Sequence, residues 1–225
     1  MTIDNKFQND IMDIFELDYT YENEPINRVV AKPQVENKNI RLKKLEKEID
    51  NIENCQLKDN GNKLVFSDGH LDSKIMIVGE APGQREDEIG KPFMGEAGLL
   101  LNKMLKAIQL DRDETYITNV VNFRPPNNRK PDPSEIHRYK YFLIEHISII
   151  EPKILVLMGS TAMEALFGSK MKISKERGQW KELIIKNKNY KTIITFHPAY
   201  LLRQPEQKKY SWEDLKAIRK EINNI

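Results

Sequence analysis

Apolar positions change their period along this chain, and the change divides it. Residues 1–36 begin with a short amphipathic stretch, FQNDIMDIFEL, followed by the polar, proline-punctuated DYTYENEPINRVVAKPQVENKN, which sustains no period and predicts a flexible N-terminal extension. In IRLKKLEKEIDNIENC, Ile40, Leu42, Leu45, Ile49 and Ile52 recur at helical spacing, with lysines and glutamates between them. That spacing predicts a helix whose charged run is a solvated face, a DNA-facing role being the less favoured alternative.

Beyond that helix, short β-branched runs alternate with longer helical stretches: KIMIVG, GEAGLLLNKMLKAIQL, TYITNVV, PSEIHRYKYFLIEHISII, KILVLMG, TAMEALFG, KTIITF and SWEDLKAIRKEINNI. Strands alternating with helices at this spacing predict parallel strands joined by crossovers. The expected architecture is a three-layer α/β/α sandwich, with about four parallel strands at its centre, over residues 37–225. Pro133, Ser134 and Glu135 suit a helix start, as do Ser160 and Thr161, and Gly168 stands where a helix should stop.

Bulk properties narrow this picture only a little. No apolar run approaches the roughly 20 residues of a membrane-spanning helix, and the N-terminus has neither the basic start nor the apolar core of a secretory signal, which predicts a cytoplasmic protein. The single cysteine, Cys55, fits a reducing compartment and rules out an intramolecular disulfide. A formal charge of +2 neither requires nor forbids a nucleic-acid partner.

In open α/β sheets ligands bind beyond the carboxyl ends of the strands, so the segments after each apolar run carry the candidate chemistry. After the first strand comes GEAPGQRED, which has neither the lysine of a phosphate-binding loop nor a dinucleotide fingerprint. Its acids, Glu80, Glu86 and Asp87 with the following Glu88, would repel a phosphate but could orient water or stabilise a developing cation. A solvated acidic loop is the plainer alternative. NFRPPNNRKPDP reads either as a stiff surface loop or as a track along a phosphate backbone carrying Arg124, Arg129 and Lys130, with Asn119 or Asn128 presenting an amide. In HPAYLLR, Leu201 and Leu202 suit a wedge entering a base stack with Arg203 on a phosphate, or equally the inward-packing leucines of a helix start. His70, His137 and His146 show no metal-ligand spacing with one another or with Cys55.

Five ordered segments, VGEAPGQRED, GKPFMGEAGLLL, YITNVV, RPPNNRKP and HPAYLLR, resemble the family 4 uracil-DNA glycosylases. The likeness runs from about Cys55 to the C-terminus, and the charged N-terminal region is similar to an extension of alphaproteobacterial members. The resemblance implies a monofunctional glycosylase that excises uracil from single- or double-stranded DNA in base excision repair; with no oligomer signal in the sequence, a cytoplasmic, nucleoid-associated monomer with no membrane partner is the default expectation. Matched residue by residue, Phe93 would stack on the flipped base, Asn119 would pair with its amide-like edge, and His197 would hydrogen-bond uracil O2. Gly79 and Gly83 would let the backbone close on the base. Ala81 stands where family 1 enzymes carry an aspartate, which leaves Glu80, Glu86 and then Asn128 as candidates for positioning water. Gly83 stands where family 1 has a methyl-excluding tyrosine.

Many family 4 members hold a four-iron, four-sulfur cluster on four cysteines; the matching positions here are Ile52, Cys55, Phe123 and Tyr139. One thiolate cannot hold such a cluster, so the expectation is no metal and no cofactor. A non-catalytic DNA-binding relative, and a glycosylase for hypoxanthine or xanthine, are the alternative readings.

Overall fold

A computed structural model describes residues 37–225; the amphipathic start and the tether read in residues 1–36 lie outside the described residues. In chain order the elements are helices α1 (Lys38–Asp50) and α2 (Gln56–Asn60), strands β1 (Asp68–Gly69) and β2 (Ile75–Gly79), helices α3 (Gln84–Ile89) and α4 (Glu96–Ala107), and strand β3 (Thr115–Asn119). Helix α5 (Pro133–Ile150), strand β4 (Ile154–Met158), helices α6 (Ser160–Phe167) and α7 (Ile173–Glu176), strands β5 (Trp180–Ile185) and β6 (Lys188–Thr195), and helices α8 (Pro198–Arg203) and α9 (Lys208–Ile222) follow.

The sheet has six strands in the order β1-β3-β2-β4-β6-β5. Its centre, β3-β2-β4-β6, is parallel throughout. These are the four parallel strands expected, and each edge adds one antiparallel strand. At one edge, β1 is only two residues long. At the other, β5 and β6 form a hairpin whose turn residues Lys186 and Asn187 both have positive φ, 47° and 63°. Two successive left-handed residues match the right-handed twist of paired strands.

Every residue of β2, β3 and β4 is buried, as expected for strands covered on both faces. Side chains alternate across β2: Met76 and Val78 enter the core shared with α1, α5 and α6, while Ile75 and Ile77 enter the core shared with α4, α8 and α9. These two apolar layers make the three-layer sandwich. In α1, Leu42, Leu45 and Ile49 are buried as the period predicts, whereas Ile40 is exposed. Helix α5 starts where Pro133 and Glu135 suggested: Glu135 accepts the Asp132 N–H at 2.7 Å and the proline takes the first helical position.

Candidate active site

Strands β2, β3, β4 and β6 run parallel, so their carboxyl ends open on one cleft of about 650 Å³. Glu80, Gly83, Glu86, Phe93, Asn119, Asn128 and His197 all line it, although they are scattered over more than a hundred positions of sequence.

Gly79 and Asn119 are paired residues at the ends of β2 and β3. A Cβ at Gly79 would sit 2.4 Å from Asn119 Oδ1 and 2.6 Å from the Phe93 ring. Only a glycine here lets the amide and the ring come together. The Asn119 side chain is 4% exposed, yet its amide forms no hydrogen bond with the described residues. Asn119 lines the cleft, so its free amide faces the space a ligand would occupy, with a donor and an acceptor to offer it. Phe93 is buried with φ of 54°, a left-handed conformation that costs a residue with a Cβ about 1–2 kcal/mol.

His197 caps the start of α8, its Nδ1 accepting the Ala199 N–H at 3.2 Å. A neutral imidazole that accepts at Nδ1 carries its proton on Nε2. Burial pushes the His197 pKa down to about 4, the nearby Arg203 guanidinium adds to this, and Glu86 opposes it. At neutral pH the ring is therefore an uncharged donor. It stacks against Phe93 with centroids 5.4 Å apart and planes inclined by 25°.

The four acids of the first loop separate into distinct roles. Glu86 accepts the Gly83 N–H on Oε2 at 3.0 Å, and those of Met94 and Gly95 on Oε1 at 2.7 and 2.8 Å. It thereby ties the first loop to the Phe93 loop as a brace. Asp87, 1% exposed, accepts the backbone N–H groups of Asn62 and Lys63. Glu88 lies on the surface with Gln84 and Arg85. Glu80 differs: Thr161 Oγ1 donates to its Oε2, and its other oxygen accepts nothing from the described residues. Ala81 is half-buried against the core.

The residues expected on the DNA side divide as well. Leu201 is 1% exposed and packs in the second core layer, which corrects its expected place in a wedge; Leu202, one helical step round, is 40% exposed. Successive residues of a helix point about 100° apart, so only one of the pair can face outward. Arg203 is exposed at the cleft. Arg129 is engaged by both oxygens of Glu135, at 2.8 and 2.6 Å, which makes it an anchor of its loop. Arg124 donates to Asn128 Oδ1 at 2.8 Å, leaving the Asn128 amide hydrogens uncommitted.

Sequence reasoning missed Ser160, Ile173 and Tyr200 at this cleft, along with Thr161 and Arg112 behind it. Ser160 and Thr161 read as a helix start, and nothing in their composition points to Glu80.

Ile52, Cys55, Phe123 and Tyr139 are all buried in the first core layer, where Cys55 Sγ lies 3.4 Å from Tyr139 Oη. One thiol, a phenol and two hydrocarbon side chains do not fit the donor set of an iron–sulfur cluster. Among the described residues, no group of three or more His, Cys, Asp or Glu side chains could hold a metal ion, and no helix is long and apolar enough to cross a membrane.

Residues 66–219 match the family model described as the uracil DNA glycosylase superfamily. The chain is 43% identical over 150 residues to the type-4 uracil-DNA glycosylase of Thermotoga maritima, covering 66% of this chain and 77% of that protein. It is 42% identical over 186 residues to the type-4 enzyme of Sulfurisphaera tokodaii (79% and 83%), and 36% identical over 176 residues to that of Archaeoglobus fulgidus (76% and 88%). With the matched segments gathered at a single cleft, the chain belongs to the uracil-DNA glycosylase superfamily, among its type-4 members.

Proposed function

We propose that this protein hydrolyses the N-glycosidic bond of uracil in DNA, leaving an abasic site. The observation that carries this reading is the uncommitted amide of Asn119 at the cleft, close to the Phe93 ring over the bare backbone of Gly79. A flipped uracil stacked on Phe93 offers that amide a carbonyl and an N–H together, satisfying its donor and acceptor at once. In the amide orientation that fits uracil, cytosine presents the opposite pattern at the same edge and leaves both groups unpaired.

As the bond from C1′ to N1 breaks, its electron pair goes to the base and negative charge builds on uracil O2. The His197 Nε2–H donates to that oxygen, and a neutral donor requires no proton transfer to do so. The sugar becomes oxocarbenium-like; Glu80, held by Thr161, faces it and orients the water whose oxygen bonds to C1′ and whose proton the carboxylate accepts. Leu202, Arg203 and Arg124 contact the strand around the extruded nucleotide, and the chain acts as a monomer.

We also read the chain as free of an iron–sulfur cluster, the packed Ile52, Cys55, Phe123 and Tyr139 taking over its structural role. An iron-free, colourless, active preparation is expected; iron in stoichiometric amount would overturn this part.

The enzyme is tested with a single-stranded oligonucleotide containing one uracil, followed by alkaline cleavage at abasic sites. Cleavage by the native protein well above that by His197→Ala is expected, and equal cleavage would sink the reading. Hypoxanthine and xanthine oligonucleotides, run in parallel, should remain intact.

A further inference from the structure

The base platform is held from behind by an ion pair outside the cleft's lining. Arg112, in the turn before β3, donates from Nη2 to the Pro92 carbonyl at 2.7 Å and from Nη1 to the Phe93 carbonyl at 3.3 Å. The same Nη1 reaches Asn102 Oδ1 on α4 at 3.1 Å. Asp68 on β1 fixes the guanidinium through Oδ2, 2.9 Å from Arg112 Nε, while its Oδ1 pairs with Lys91 Nζ at 3.0 Å. Burial alone would raise the Asp68 carboxyl, but bonds from Lys91 and Arg112 outweigh it and hold the group below its usual range, so it is ionised at neutral pH.

Opposite charges thus grip opposite ends of the peptide dipoles in one short loop. Arg112 takes the carbonyls of Pro92 and Phe93, and Glu86 takes the N–H groups of Met94 and Gly95. Phe93 has φ of 54°, a conformation that persists only where its surroundings over-determine it. The first turn of α4 presses on the same carbonyl: a Cβ at Gly98 would lie 1.8 Å from Phe93 O. The two-residue edge strand β1 places Asp68 across from Ile117, beside this turn.

We propose that Arg112, oriented by Asp68, is a positioning residue for the flipped base: it fixes the Phe93 backbone so that the ring lies beneath the base held by Asn119 and His197. This rests on Phe93 being the base platform, as argued above. The planar guanidinium serves because it reaches two carbonyls and a side-chain amide at fixed angles, which a lysine cannot.

A double-mutant cycle tests it. Arg112→Gln, Phe93→Ala and the double variant are compared by single-turnover excision, by inhibition with free uracil, and by thermal melts. Arg112→Gln should lower excision by roughly 10- to 100-fold and weaken inhibition by free uracil in parallel. In the Phe93→Ala background it should change excision by no more than roughly twofold. Arg112→Lys should restore only part of the loss. If Arg112→Gln does not fold, Asp68→Asn, which leaves the arginine its carbonyl partners, should give a smaller loss that is likewise absent in Phe93→Ala. An equal loss in both backgrounds, or unchanged uracil inhibition, would assign Arg112 a merely structural role and overturn the inference. Phe93→Ala without effect would instead refute the platform itself, and the inference with it.

Discussion

Glu86 accepts the Met94 backbone N–H at 2.7 Å, and this bond makes an acid of the loop after β2 into a brace between two loops. Glu80, earlier in the same loop, keeps one oxygen uncommitted. Substituting both with glutamine separates their roles. Glu86→Gln would turn amide hydrogens toward backbone N–H groups and should cost about 1–3 kcal/mol of stability, seen as a lowered melting temperature. Glu80→Gln should melt like the native protein while excision falls roughly 100-fold or more. Full activity in a destabilised Glu80→Gln would reverse the assignment.

If His197 donates to the departing base as proposed, its neutral state should set how activity responds to pH. With its pKa held near 4, the ring does not change charge across the range where an ordinary histidine, near 6.5, would titrate. The rate of the chemical step should therefore show no limb near 6.5, and any loss traceable to this ring should appear only on approach to about 4. Rates measured from pH 4 to 8 for the native protein and His197→Gln check this. An inflection near 6.5 that disappears in the variant would contradict it.

Stability should respond to acid sooner than activity does. His146 is 2% exposed, stacks on Phe66 at 4.5 Å, and lies 2.6 Å from the Tyr116 hydroxyl. Burial holds its pKa near 3, whereas the unfolded chain binds that proton near 6.5. Between those values the unfolded state binds more protons, so stability falls as the pH drops, by up to about 1.4 kcal/mol per pH unit for this one group. His197 adds a similar dependence between 6.5 and about 4. Urea midpoints at pH 7 and pH 4.5 should differ markedly, and less so in His146→Gln, which does not titrate. Equal pH dependence in the two proteins would rule out His146 as the source.

Gly79→Ala offers a steric test of the pocket. The added methyl would stand 2.4 Å from Asn119 Oδ1 and 2.6 Å from the Phe93 ring, displacing both. Loss of excision by roughly 100-fold or more is expected, with circular dichroism spectra unchanged. Native-like excision would show that the amide and ring do not need their present positions.

Much of this was legible in the sequence, for identifiable reasons. The continuous apolar runs IMIVG, TYITN and ILVLM announced strands buried on both faces, and all three are. The edges were missed because Asp68–Gly69 is too short to show a period. The alternation in β5, where Leu183 and Ile185 are buried and Ile184 is exposed, was an available signal that went unread. At the cleft, motif positions identified Phe93, Asn119 and His197 as neighbours, and these residues do meet. Composition could not distinguish Glu86 from Glu80, since their difference lies in which backbone N–H groups fold back upon them. Nor could it separate Leu201 from Leu202, whose fates depend on the phase of one helical turn.

The most direct measurement is the identity of the base released. Free uracil, quantified chromatographically from single-uracil oligonucleotides, should appear with the native protein and fall by between roughly 100- and 10,000-fold in Asn119→Ala, with no thymine or cytosine released from matched controls. Uracil release that is absent from the native protein, or unchanged in Asn119→Ala, would contradict the account.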